Sequence, residues 1–307
     1  MSAVGTADPE TPPLFDPTAP LRPSGNLRRR HWVSRLFAGS ARGAAVLAIA
    51  LLAIVIYSVI KRGGGTLNLD FITKSPTVAG LGGGIAPEIL GTLAICALAT
   101  VIAAPLGVLV ALYVTEFAHR RVATALRTVL DLMQGLPSII VGLLFFGLLV
   151  KGHGQAGIDA SIALAVIMLP LIARSSQEVI LLVPTTLREG ADALGVPRWR
   201  TVATVILPEA IGGIVTGTIL ALGRAAGETA PLIALDSIWN PDVIQLNPFS
   251  HSGIPNIPFY IFTQTEQADA SSIGHAWGAA LVLLLMILLI NFAARALLAR
   301  NRRKLAR

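Results

Sequence analysis

Six apolar runs dominate the chain: Ala44 to Ile60, Leu90 to Thr115, Leu130 to Val150, Ser161 to Leu182, Ala210 to Leu235 and Ala276 to Leu298. Polar segments separate them. Each run is long enough for a helix through about 30 Å of hydrocarbon, with the first at the short end of that range. The pattern predicts an all-α integral membrane protein of about six transmembrane helices, with both termini on one side. The first run starts far from Met1 and is followed by Lys61-Arg62-Gly63 rather than a small-residue cleavage site, so it reads as an uncleaved anchor. Residues 1–41 are polar and proline-rich up to Pro23, then carry Arg28, Arg29 and Arg30, and read as a disordered cytoplasmic tail. Residues 42–84 then hold the first transmembrane helix and an external loop, 85–300 a core of five transmembrane helices, and 301–307 a basic cytoplasmic tail. Glycines such as Gly142, Gly147, Gly212, Gly213 and Gly217 let helix backbones approach closely. Pro105, Pro137 and Pro170 lie within runs, where neighbouring groups must satisfy the carbonyls they free.

Composition agrees with a lipid environment. The 307 residues are 54% hydrophobic and 13% charged, and the mean hydropathy is +0.71. That is too little charge to cover a soluble surface of this size. The net charge of +7 belongs to residues clustered beside apolar runs, which sets orientation and does not call for nucleic acid. With the termini inside, 18 of the 24 Lys and Arg residues fall in cytoplasmic segments, and only Lys61, Arg62, Lys74 and Lys151 fall outside. Both termini are therefore expected in the cytoplasm. Cys96 is the single cysteine, so the chain builds no disulfide framework, and its five histidines show no metal-ligand spacing. Neither a catalytic constellation nor a cofactor or metal site is expected.

The segment Val183 to Pro197 and its continuation to Pro208 form the cytoplasmic loop between the fourth and fifth runs. Thr186 followed by Glu189 reads as a capping box, and Gly195 followed by Pro197 as a helix stop. Leu187, Ala191 and Leu194 share one face, while Arg188, Glu189 and Asp192 point elsewhere. A short capped helix with an apolar stripe suits a groove in another protein. Glu189, Ala191, Gly195 and Leu207-Pro208 resemble the EAA loop of ABC importer permeases: the glycine follows the glutamate by six positions, and Leu-Pro follows the glycine by twelve and thirteen. Gly190 and Val205 depart mildly from that pattern. The resemblance covers about residues 85 to 300 and implies the type I ABC importer permease fold. It also implies that the loop over residues 184–208 docks on a separate ATPase.

Leu222-Gly223-Arg224-Ala225-Ala226-Gly227-Glu228-Thr229-Ala230-Pro231 is similar to the signature of phosphate importer permeases. Gln134 to Gly142 and the stretch from Leu169-Pro170 to Val183-Pro184 look like the PstA type within that family. Independently of the resemblance, Arg224 lies near the middle of the fifth run, where a guanidinium is costly unless it faces a cavity, a partner or a counter-ion. Glu228 is one helical turn away. Two readings stay open. Either Arg224 presents its fork to an oxyanion, with Glu228 accepting the proton that phosphate carries and sulfate lacks, or the two neutralise each other to hold helices together. Thr229 and Ser138 are candidate donors to a passing anion or to local carbonyls. Arg174, near the cytoplasmic end of the fourth run, reads as snorkelling to the interface. Asp236 to Ser272 is the longest external loop, and its aromatics, Trp239, Phe249, Phe259, Tyr260 and Phe262, suit the membrane interface or contact with a substrate-binding protein.

The resemblance implies a dimer of ATP-binding ABC subunits, a second, PstC-like permease, an external PstS-like phosphate-binding protein and surrounding membrane lipid as partners. It implies import of phosphate, or of another oxyanion or small solute, by alternating access across the plasma (inner) membrane of a prokaryote. A transporter driven by ion gradients would show inverted repeats and discontinuous helices, and no repeat is evident. An intramembrane enzyme would need facing catalytic groups within the spans. The chain has no Walker-type phosphate loop, so ATP hydrolysis is expected in another chain.

Overall fold

The computed structural model of the chain describes residues 27–76, 83–237, 247–267 and 269–305. The chain divides into two compact units, Met1–Ile56 and Tyr57–Arg307. The first described helix, α1, covers Leu27–Gly63. It starts well before Ala44, so residues 27–41 are helical and not the disordered tail expected from the sequence; residues 1–26 lie outside the described part. No proline follows Pro23 in this stretch, and Arg, Leu and Ala continue a helix at little cost once the apolar span has nucleated it. The apolar side chains along α1, such as Leu47, Ile49 and Leu52, are exposed, as suits a lipid-facing helix.

In the second unit a short helix α2 (Leu69–Thr73) precedes α3 (Ala86–Leu112), which ends in a π-helical turn over Tyr113–Phe117. Then follow α4 (Arg120–Gly135) and α5 (Ser138–Phe145), the latter with a π-helical turn over Phe146–Val150. Next come α6 (Gly157–Leu181), α7 (Thr185–Ala193) and α8 (Arg198–Thr201), with a third π-helical turn over Val202–Ile206. The chain continues as α9 (Leu207–Ala225), α10 (Ala230–Leu235), α11 (Ile257–Glu266) and α12 (Ala270–Leu305). Among the described residues, five helical stretches are long and apolar enough to cross a membrane, and α4 with α5 makes a sixth if that bent pair counts as one span.

Two expected spans are broken. The run Leu130 to Val150 is not one helix: α4 and α5 meet at 95°. Pro137 supplies no N–H and holds Leu136 extended, at φ −70° and ψ 131°, which a helix cannot pass. The start of that run, residues 130–135, belongs to the amphipathic helix α4, which buries Ala123 and Leu130 and exposes Arg120 and Arg121. The run Ala210 to Leu235 is likewise broken between α9 and α10, where Gly227 to Thr229 leave the helix and Pro231 sits at the start of the next one. Pro105 and Pro170, by contrast, lie inside the continuous helices α3 and α6. Discontinuous helices therefore occur here without separating this chain from gradient-driven transporters.

Helix α6 is the centre of the bundle and packs on α3 and α9. Ala99 and Ala103 of α3 and Ala160, Ala163 and Leu164 of α6 are buried in one apolar cluster with Met168 and Ile172. Small side chains set the approach. A Cβ added at Gly107 would come within 2.8 Å of Ile172 Cγ2, so glycine is what lets α3 and α6 meet where no hydrophobic effect drives helices together. The long loop expected after Leu235 contains α11, N-capped by Asn256, whose Oδ1 accepts from the Phe259 N–H at 2.9 Å. Ile257 and Tyr260 pack with Phe71, Ile85 and Ala279, and Phe249 is exposed. Trp239 lies outside the described residues.

Candidate functional site

The two breaks face each other across a cavity of about 200 Å³. Gln134, Leu136, Pro137 and Ser138 line it from the α4–α5 corner, Val166, Ile167 and Leu171 from α6, and Arg224 and Glu228 from the α9–α10 break. The corner is held against α10 by close packing: a Cβ at Gly142 would lie 2.8 Å from Pro231 Cα. Three of the four residues singled out for a substrate path, Ser138, Arg224 and Glu228, thus share one cavity. Thr229 does not line it; it precedes α10 at the N-cap position and makes no side-chain cap bond. Gln134 lines the cavity without having been singled out, although it begins the Gln134 to Gly142 motif.

Arg224 is not at the centre of a continuous span, as the run length implied, but in the last turn of α9. Freed carbonyls and the negative end of the helix dipole favour a cation there. Its Nε lies 3.7 Å from Glu228 Oε1, within ion-pair range but too long for a hydrogen bond. The Arg224 side chain is 64% exposed and that of Glu228 18%. Most of the guanidinium's donors therefore face the cavity uncommitted, the arrangement a tetrahedral oxyanion needs.

Arg174 makes an ion pair. Its Nη2 lies 2.7 Å from Asp131 Oδ1 on α4, because the 95° corner swings α4 alongside α6. Beyond α10, outside the spans, Asp236 accepts from the Ile254 N–H at 2.6 Å and from Asn256 Nδ2 at 3.2 Å. Burial pushes its carboxyl up to about 8, against the pull of those donors.

The loop between α6 and α9 folds into α7 as expected, with different caps. The proposed capping box does not form: Pro184 occupies the N-cap position and Thr186 lies inside the first turn, with no side-chain cap bond. The stop does form. Gly195 has φ +69°, and the bonds Val196 N–H to Ala191 O and Gly195 N–H to Asp192 O, both 3.0 Å, make a Schellman turn. The apolar stripe is divided, since Ala191 is buried while Leu187 and Leu194 are exposed. Glu189 is exposed. Arg188 turns inward to Glu116, a contact that sequence reasoning missed because 72 residues separate the pair.

Membrane-spanning helices around a polar cavity at two helix breaks, with a capped helix presented at one end, make this a transport protein of the membrane. The chain belongs to the family of binding-protein-dependent transport system inner membrane components, whose pattern it matches over residues 103–307. It is thus a multi-pass inner-membrane permease component of ABC importers, which work with ATPase subunits and a substrate-binding protein. It is 36% identical over 214 residues to the phosphate transport system permease protein PstA 1 of Mycobacterium tuberculosis (strain CDC 1551 / Oshkosh), covering 69% of each chain. It is 33% identical over 254 residues to the phosphate transport system permease protein PstA of Yersinia pestis, covering 81% of this chain and 84% of that one. The fold resembles that of a chain in the crystal structure of a bacterial alginate ABC transporter complexed with an alginate pentasaccharide-bound periplasmic protein, with TM-score 0.63 at 17% identity over 88% of this chain and 96% of that one.

Proposed function

We propose that this chain is the permease subunit of an ATP-driven importer of inorganic phosphate, working by alternating access, and that the anion passes Arg224. The observation that carries the reading is the uncommitted guanidinium of Arg224 in the cavity at the two breaks, 3.7 Å from Glu228. The names of its relatives add the substrate. Ser138 is a further donor on the path, and Thr229 acts from its edge. Glu228 accepts the proton of hydrogen phosphate, which gives phosphate an advantage over sulfate. Helix α7 docks on an ATPase dimer through Leu187, Glu189 and Leu194, with Ala191 and Gly195 holding its shape. A second, PstC-like permease completes the pathway, and a PstS-like protein delivers phosphate from outside. Both termini are cytoplasmic on the charge count. The test is uptake of labelled phosphate at micromolar concentration by a bacterium lacking its own phosphate permeases, supplied with this chain and its partner genes. Uptake competed by arsenate and not by sulfate is expected; uptake of sulfate with none of phosphate would sink the substrate assignment.

A further inference from the structure

Helix α7 carries three charged residues, Arg188, Glu189 and Asp192, of which Glu189 and Asp192 are exposed. Arg188 alone turns into the bundle. Its Nη1 donates to the Val183 carbonyl at 2.7 Å, and its Nη2 donates to the Ile180 carbonyl at 2.8 Å and to Glu116 Oε1 at 3.1 Å. Ile180 and Val183 lie at the end of α6, where the carbonyls have lost their helical partners and a cation is favoured. Glu116 lies in the π-helical turn that ends α3, with its side chain 5% exposed. Among the described residues Arg188 is its one ion-pair partner. A buried carboxylate needs that cation, and the guanidinium's rigid fork lets one residue hold both helix ends at once. The backbone of α7 packs mainly on α8, and Arg188 is the α7 side chain that bonds to both α3 and α6 through Glu116 and Ile180.

From this geometry we propose that Arg188 is a positioning residue that ties the docking helix α7 to the cytoplasmic ends of α3 and α6, so that displacement of α7 moves α3 through the Arg188–Glu116 pair. The proposal rests on the reading of α7 as the ATPase-docking element. Motion carried only through the connections to α6 and α8 would leave α3 behind. The pair supplies the lateral tie, and π-helical turns such as the one holding Glu116 are frequent at functional places in helices.

The test uses the assembled complex with its ATPase in proteoliposomes, carrying Tyr113→Cys as a thiol-labelling site on the exposed side of the same turn. In the otherwise native complex, trapping the ATPase with ATP and vanadate changes the labelling rate at position 113. In Glu116→Gln, which keeps size and removes charge, that change is lost while ATP hydrolysis persists, and phosphate transported per ATP falls about fivefold or more. Arg188→Met behaves alike, and Arg188→Lys recovers part of the response. An unchanged nucleotide-dependent labelling response with unchanged transport per ATP in assembled Glu116→Gln would overturn the proposal. So would failure of both Glu116→Gln and Arg188→Met to assemble, since the pair would then serve folding alone. The labelling arm needs no substrate, so an error in the phosphate reading shows separately, as absent uptake by the native complex. An error in the docking reading shows as no cross-link from Leu194→Cys to the ATPase.

Discussion

Replacing Arg224 by Gln separates a transport role from a structural one, because the geometry assigns the two roles different magnitudes. At 3.7 Å the pair with Glu228 has a Coulomb energy of about 4 kcal/mol at an effective dielectric of 20, and about 1 kcal/mol in water. The Arg224 side chain is 64% exposed, so the value near 1 kcal/mol applies, as for other exposed pairs. Arg224→Gln should therefore lower assembly and stability only slightly. An anion held by the fork loses two charge-assisted hydrogen bonds, each worth about 1.5 to 3 kcal/mol, so uptake should fall about 100-fold or more. Arg224→Lys keeps the charge without the fork and should lie between. The assay is initial uptake of labelled phosphate alongside the amount of intact complex recovered by affinity purification. A fully active, assembled Arg224→Gln complex would refute the transport role. Loss of assembly in each single variant, restored by Arg224→Met with Glu228→Met, would show a structural pair.

Three further outcomes are expected. Gly195→Ala places a Cβ at φ +69°, costing about 1 kcal/mol at the end of α7; transport per ATP should fall while the protein remains membrane-inserted, and a normal ratio would remove the Schellman turn from the docking element. Asp236, raised to about 8, contributes stability that is fully present below the unfolded value near 4 and is lost as pH rises through 8. Thermal unfolding in detergent from pH 5 to 9 should show that decline, and Asp236→Asn should flatten it; identical profiles would contradict a protonated Asp236. Cysteines placed at Phe249 and at Arg303 should label from outside and from inside the cell respectively, and the reverse would overturn the topology drawn from the basic residues.

Most spans were legible because a bilayer demands long uninterrupted apolar runs and leaves few alternatives. The breaks were less legible. Pro105, Pro137 and Pro170 look alike in sequence, yet only Pro137 interrupts a helix, since its neighbours leave α4 free to turn and cover α6 through Asp131 and Arg174. One signal was present: the helical spacing of polar residues from Arg120 to Asp131 continues into the start of the third run. In the loop between α6 and α9, the stop at Gly195 was readable because a left-handed residue before Pro197 has few other uses. Thr186 and Glu189 have the spacing of a capping box, but with Pro184 at the N-cap the helix starts two residues too early for it. Glu116 could not be matched to Arg188 by any local pattern.

The helix breaks and the electrostatics of the cavity have one cause. An unbroken fifth span would set Arg224 among carbonyls already bonded within the helix, and only a nearby carboxylate could offset the cost of its charge. Ending α9 at Ala225 gives the guanidinium a helix C-terminus to stand on, so Glu228 need not approach within hydrogen-bond distance. The resulting separation of 3.7 Å leaves donors free in the cavity. The corner at Pro137 opens the opposite wall and brings Ser138 to the same space. Restoring helical continuity at either break would therefore remove the reason for the other: a continuous α9–α10 would draw Glu228 onto Arg224, and a straight α4–α5 would withdraw Ser138 and Gln134 from the cavity that Arg224 faces.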